Sequence, residues 1–200
     1  IINKKNFGYS KGYNTFLKQI NAEYFVLINS DIEVTKGWLS PIIKLMDSDQ
    51  NIAACQPKIL DYKNKSKFEY AGGSGGFIDR LGYPFCRGRI FEHLEDDTEQ
   101  YNDSREIFWA SGACLFVRSS PFFNINGLDE DFFAHQEEID LCWRLKNNNY
   151  KVMVEPKSKV YHVGGGTLNT NSSFKTYLNF RNNLFMLFKN LTANSLIIIL

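Results

Sequence analysis

The sequence predicts an α/β domain built on a mostly parallel, mixed sheet flanked by helices. Two apolar runs, Tyr24-Phe25-Val26-Leu27-Ile28 and Ala113-Cys114-Leu115-Phe116-Val117, are too continuous for strands wetted on one face. Such runs suit strands covered on both sides. Segments with helical apolar spacing alternate with them through the first half, the pattern of strand–helix–strand units. The first run ends in Asn29-Ser30-Asp31, polar residues at the carboxyl edge where open α/β sheets bind ligands. Alternation is looser in the second half, which makes the sheet mixed rather than purely parallel.

The elements follow in order. Residues 14–20 read as a helix leading into the strand 24–28. Residues 35–47 read as a helix, with Ile42, Ile43, Leu45 and Met46 as its apolar positions. A strand is expected over 52–57. Residues 61–105 are rich in glycine, charge and aromatics with weak periodicity, and long loops of this kind in compact domains tend to be functional or mobile. The strand 113–117 follows, then a turn at Asn126-Gly127. A helix over 137–147 ends at Asn147-Asn148-Asn149. Short strands are expected over 150–154 and 159–162, and a helix over 174–191.

At 200 residues the chain supports one domain with a sizeable core. A hydrophobic fraction of 44% is ordinary for a folded protein, and a net charge of +1 gives no footprint for nucleic acid. Cys55, Cys86, Cys114 and Cys142 form no CxxC pair or zinc-ribbon spacing. Cys114 and Cys142 lie among apolar residues and read as buried thiols, which suits a reducing, cytoplasmic setting. No signal peptide is visible. The opening Ile1-Ile2-Asn3 and the apolar run Leu196 to Leu200 read as cuts through a longer protein.

Three constellations can carry chemistry. In Asn29-Ser30-Asp31-Ile32-Glu33, a carboxylate at a strand end can hold a divalent cation that grips a diphosphate, or Asp31 can simply cap the following turn. In His135-Gln136-Glu137-Glu138-Ile139-Asp140, acids at a helix start complement the macrodipole, and Asp140 with Arg144 forms an i,i+4 pair. Glu138 shares a face with Leu141, Cys142 and Leu145, a setting that suits a cleft-lining base; a solvated acidic cap is the alternative. In Tyr161-His162-Val163-Gly164-Gly165-Gly166-Thr167, a histidine after a strand can ligate a metal while glycines bring backbone close to phosphate, though a lone histidine is more often structural. Neither this glycine run nor Gly72-Gly73-Ser74-Gly75-Gly76 has the spacing of a dinucleotide fingerprint.

Taken together and in this order, the stretches resemble the family-2 inverting glycosyltransferases with a GT-A fold, particularly the bacterial rhamnosyltransferase-like members. The resemblance is carried by residues 6–14, 27–34, 112–118, 127–133, 137–144 and 160–164. It implies that the family's DxD-like motif falls on Asn29-Ser30-Asp31, with Asn in place of the first acid. Asp31 is then the metal ligand, His162 a further metal contact, and Glu33 an alternative only if the register slips by two. The family's Glu-Asp pair falls on Glu137-Glu138, which puts the base at Glu138 and leaves Glu137 open. Asn14 and Gly12 would lie near the nucleotide together with Asn29. Trp109, Gly112 and Asp140 would border the acceptor. The implied cofactor is Mn2+ or Mg2+, with a nucleotide sugar as donor and a glycan or lipid-linked hydroxyl as acceptor in surface polysaccharide assembly. The family's first nucleotide-binding strands have no counterpart before Asn3, so the fold is expected to lack them in this chain.

The expected organisation is a GT-A domain over 1–173, followed over 174–200 by an amphipathic helix and the start of an apolar segment. That helix can lie on the cytoplasmic face of a membrane or pack on the domain. The rival readings are a non-catalytic sugar-binding scaffold, which Asn29 favours, and a nucleotidyltransferase, against which the 137–144 stretch argues.

Overall fold

The computed structural model describes residues 7–164 and 173–199. Asn6 of the first resembling stretch and the Gly165-Gly166-Thr167 part of the late glycine run lie outside them. The chain runs α1 (Gly8–Leu17), β1 (Tyr24–Ile28), β2 (Ile32–Val34), α2 (Leu39–Ser48), β3 (Ile52–Asp61), β4 (Gly76–Ile78), β5 (Pro84–Cys86), β6 (Arg89–Ile90), β7 (His93–Leu94), β8 (Arg105–Ile107), β9 (Cys114–Arg118), α3 (Ser119–Asn124), a 3₁₀ turn (Glu130–Phe132), α4 (Glu137–Asn147), β10 (Lys151–His162), α5 (Ser173–Asn190) and α6 (Ala193–Ile199).

The main sheet has the order β1-β9-β3-β10-β2, with β8 also paired to β10. It is mixed, as expected, but it is not mostly parallel. Among the described residues β3–β10 is the parallel pair, and the pairs β1–β9, β9–β3, β10–β2 and β10–β8 are antiparallel. The continuous apolar runs suggested parallel strands because they report burial on both faces, and burial does not encode direction. β9 is inserted antiparallel between β1 and β3 yet is covered on both sides. Its Cys114 and Phe116 pack with Ile42 and Met46 of α2, while Leu115 and Val117 pack with Phe122, Leu141 and Leu145. The sheet is thus sandwiched between α2 on one face and α1, α3, α4 and α5 on the other. Burying a side chain the size of Phe116 stabilises by about 1.5–3 kcal/mol relative to exposure, so this central strand anchors both layers.

β10 is one strand where two were expected. Its pairing with β3 shifts between Glu155 and Lys159, the interval that separates the two expected strands. Pro156 there lacks an N–H for the ladder, and Pro57 of β3 lies at the same place, so the ladder bulges. Beyond the bulge the strand resumes and ends at His162. Arg118, at the end of β9, donates to Met46 O at 2.6 Å and Ile52 O at 3.3 Å, tying α2 and β3 to it.

The 62–104 stretch folds into two small hairpins, β4–β5 and β6–β7. The Gly72–Gly76 run packs rather than cradles. A Cβ on Gly76 would lie 2.0 Å from the Trp109 ring, so only glycine lets this backbone rest on the indole. Lys58 of β3 is 1% exposed and bonds Asp97 at 2.8 Å, pinning the far end of the stretch to the sheet. All four cysteines are buried and free. Burial pushes the Cys114 and Cys142 thiols up to about 12.

Candidate active site

β1 delivers Asn29 and Asp31 to one edge of the sheet. The Asn29 N–H donates to Ala113 O at 3.0 Å, and Asp31 O accepts from Val163 N at 3.1 Å. The second bond holds Asp31 against the end of β10, where His162 Nε2 stands 3.2 Å from Asp31 Oδ1. On the other side of the ring, His162 Nδ1 faces Glu69 Oε1, also at 3.2 Å but without the alignment of a hydrogen bond. Glu69 Oε2 accepts from Ala71 N at 2.6 Å, and Glu69 N donates to Ile59 O at 3.1 Å. The loop that turns back along β3 therefore presents a buried carboxylate to the imidazole. Burial alone lowers the His162 pKa, but the Glu69 and Asp31 carboxylates outweigh it and raise it. Glu33, the alternative ligand, points elsewhere and pairs with Lys65.

Asp31 and His162 supply one carboxylate oxygen and one imidazole nitrogen side by side. Among the described residues no group of three His, Cys, Asp or Glu side chains is arranged to hold a metal. A carboxylate oxygen beside an imidazole nitrogen is a donor set that a divalent cation can accept.

The acidic pair reaches the same edge from α4. Gly112, which precedes β9, lies against Glu138. A Cβ built on it would be 3.5 Å from Glu138 Cδ and 3.4 Å from the Tyr9 hydroxyl. Its neighbour Ala113 carries the carbonyl that receives the Asn29 N–H. Tyr9 donates to Gly112 O at 2.9 Å, and Tyr13 to Ile28 O at 3.3 Å, with their rings 4.7 Å apart. Glu137 is 5% exposed and Glu138 is half-buried. Each has a buried Oε2 without a hydrogen-bond partner among the described residues. Burial raises both carboxyls, Glu137 well above its ordinary value, and the Glu138 charge lifts Glu137 further. Burial, Tyr13 and the two glutamates push the Tyr9 phenol well above its ordinary value. Both carboxyls therefore keep their protons to higher pH than an ordinary glutamate, and each is a stronger base once ionised.

Three expected positions are occupied by other tasks. Asn14 is buried, with Nδ2 donating to Leu128 O at 2.7 Å and Glu130 Oε1 at 3.3 Å, and Oδ1 accepting from Leu128 N at 3.0 Å. It clamps α1 to the 128–130 turn, with both polar atoms of its amide engaged inside the protein. Trp109 is buried in the core, and its indole N–H donates to Phe77 O at 2.7 Å; it cannot present a face to a sugar. Asp140 is fully buried between Arg144, at 2.7 Å, and Asn190, at 2.8 Å. That confirms the expected ion pair and removes the residue from acceptor contact. Gly12 has open space where a side chain would stand. Two members of the site carry no signal in the sequence: Glu69 is an isolated acid in the aperiodic stretch, and nothing beside Tyr9 marks its reach to Gly112.

Residues 1–122 match the family described as Glycosyl transferase family 2. An N-acetylglucosaminyl-diphospho-decaprenol L-rhamnosyltransferase of Mycobacterium tuberculosis is 38% identical over 173 residues, covering 78% of this chain and 56% of the relative. A rhamnosyltransferase of Escherichia coli K12 is 34% identical over 140 residues, 70% of this chain and 52% of its own. A low-salt glycan biosynthesis hexosyltransferase of Haloferax volcanii is 26% identical over 183 residues, 88% and 56%. The chain spans about half the length of these relatives. The crystal structure of GalNAc-T7 with UDP, GalNAc and Mn2+ superposes with a TM-score of 0.65 at 13% identity, over 92% of this chain and 35% of that one. This last likeness shows the GT-A fold.

Proposed function

The chain belongs to glycosyl transferase family 2, and on that premise we propose that it moves a sugar from a nucleotide-diphosphate donor to a hydroxyl of a glycan or lipid-linked acceptor. The reaction inverts the anomeric centre and serves surface polysaccharide assembly. One observation carries the reading: Asp31 stands against His162 at the carboxyl ends of β1 and β10, and Glu138 lies against Gly112 at the start of the antiparallel β9, so residues distant in sequence share one sheet edge.

Asp31 Oδ1 and His162 Nε2 would hold Mn2+ or Mg2+, with Asn29 adjacent. The cation supplies charge neutralisation of the departing diphosphate. Glu69 orients the His162 ring so that Nε2 faces Asp31. Glu138 takes the proton from the acceptor hydroxyl. The freed oxygen pair forms a bond to the anomeric carbon as its bond to the diphosphate oxygen breaks on the opposite face. Glu138 is preferred over Glu137 because it is the less buried and borders Gly112. A carboxyl raised by burial is a stronger base once ionised.

The acceptor class follows the rhamnosyltransferase relatives, one of which is named for a lipid diphosphate acceptor. Among the described residues no helix is long and apolar enough to cross a membrane. The exposed stripe Phe174, Tyr177, Phe180, Leu184 and Phe188 on α5 supports peripheral contact with a cytoplasmic membrane face, where a lipid-linked acceptor would be met.

The test is transfer from dTDP-, UDP- and GDP-hexoses to N-acetylglucosaminyl-diphospho-polyprenol with Mn2+, reading the anomeric configuration of the product by NMR. An inverted linkage formed with one donor is expected. A retained configuration contradicts the roles given to Glu138 and the diphosphate.

A further inference from the structure

The backbone ahead of α4 is held in conformations that residues other than glycine rarely adopt. Phe133 has φ 54° and ψ −59°. His135 has φ 72°, and Gln136 φ 67° and ψ 1°. Around Phe133 the Ala134 N–H closes onto Phe132 O at 2.5 Å, the uncommon and strained form of γ-turn. A run of this kind persists only where its surroundings over-determine it. It opens directly into Glu137 and Glu138.

The restraint comes from α5. Asn182 is fully buried and shares its two Nδ2 hydrogens among three carbonyls: Phe132 O at 3.1 Å, Ala134 O at 2.8 Å and His135 O at 2.7 Å. Its Oδ1 accepts from Arg181 Nε at 2.9 Å and Nη2 at 2.8 Å, and the same Nη2 reaches Asp131 O at 3.1 Å. Gln136 Nε2 donates to Asn179 O at 3.1 Å. From the opposite side Tyr9 N donates to Phe133 O at 2.8 Å, where a Cβ on Gly8 would come within 2.6 Å.

We propose that Asn182 is a positioning residue for the catalytic base: through it α5 fixes the 132–136 reversal, and the reversal sets the direction in which Glu138 leaves the start of α4. A short primary amide suits this task. It offers two donors to a cluster of carbonyls and an acceptor to the neighbouring guanidinium, whereas a carboxylate would turn lone pairs toward all three carbonyls. α5 lies beyond the 1–122 family match, yet it becomes part of the active-site scaffold. The proposal rests on the reading of Glu138 as the base.

Asn182→Ala and the near-isosteric Asn182→Asp are compared with the unmodified chain by backbone hydrogen exchange, and by kinetics on the donor–acceptor pair that proves active above. Amides 133–138 are expected to exchange roughly tenfold faster or more, while β3 and β9 keep their protection. Turnover is expected to fall roughly 10–100-fold with donor KM unchanged, since a small misplacement of the base acts on kcat. If Asn182→Ala also loses protection in β3 and β9, Gln136→Ala decides, because it removes only the tie to Asn179; a smaller rise in exchange with a measurable loss of kcat is expected. Unchanged exchange over 133–138 overturns the proposal, as does faster exchange with unchanged kcat. Glu138→Gln, run alongside, separates the two readings. If it keeps full turnover the base assignment falls, and the clamp is judged on exchange alone. If it abolishes turnover while the Asn182 variants keep theirs, the clamp falls and the base stands.

Discussion

His162 Nε2, at the last residue of β10, lies 3.2 Å from Asp31 Oδ1, just past the end of β1. β1 and β10 are not neighbours in the sheet; β9 and β3 lie between them. Contact is made because the chain after β1 crosses over and returns as β2, which pairs antiparallel with β10 through Ile32 and His162. The strand-end acid is thereby carried across the sheet edge to the late histidine.

Glu69 faces the other nitrogen of that imidazole, and carboxylates in this position orient a ligating histidine and raise its basicity. Glu69→Ala is expected to weaken Mn2+ binding in the presence of nucleoside diphosphate by roughly 10–100-fold, with Glu69→Gln between the two. Calorimetric titration of Mn2+ reads the effect. Equal affinities would mean that Asp31 alone sets the ring.

The raised carboxyls of Glu137 and Glu138 make two pH predictions. A base must be ionised, so kcat/KM is expected to rise with pH through an acid limb lying above the ordinary glutamate range, and Glu138→Gln should remove the transfer that shows the limb. Stability runs the other way. An unfolded glutamate loses its proton near 4.5 and the folded Glu137 only higher, so the native state holds the extra proton and stability falls as pH rises between the two. Glu137→Gln is therefore expected to raise the melting temperature at neutral pH, with the gain vanishing toward pH 4. A constant gain across that window contradicts the account.

Much of this was legible from residues alone, and the exceptions share physical causes. The α4 boundaries, Glu137–Asn147, are those expected, because acids at its start, the Asp140–Arg144 pair and an asparagine stop all mark one helix. β1 shows equally well as an apolar run ending in polar residues. Strand direction was not legible in β9, because two-sided burial looks the same either way up. Nor were the tasks of Asn14, Trp109 and Asp140. A polar or aromatic residue near a motif looks like a ligand contact until its partners, Leu128, Phe77 and Asn190, are folded onto it. Glu69 and Asn182 act on residues remote in sequence, and no local pattern reports such contacts. The polar triplet Arg181-Asn182-Asn183 inside an aromatic helix was the available hint.

Lys58 and Asp97 are 1% and 7% exposed at their side chains, and Lys58 also donates to Asn102. Removing one partner strands a buried charge, so Asp97→Leu is expected to cost about 3–5 kcal/mol, and Lys58→Met with Asp97→Leu to recover most of it. Chemical denaturation of the two single variants and the double variant checks this. An additive double variant contradicts the pairing.

Asp140→Ala leaves Arg144 and Asn190 without their shared acceptor. It is expected to destabilise by about 1–3 kcal/mol while leaving acceptor KM unchanged in the folded enzyme. A selective rise in acceptor KM would restore Asp140 to the acceptor site.

The central claim, that Asp31 and His162 hold a cation against the donor's diphosphate, is tested most directly by calorimetric binding of UDP, GDP and dTDP to the chain with and without Mn2+. One of them is expected to bind only with Mn2+, and Asp31→Ala and His162→Ala are each expected to abolish the metal dependence. Binding that is indifferent to Mn2+, or that keeps its metal dependence in both variants, contradicts it.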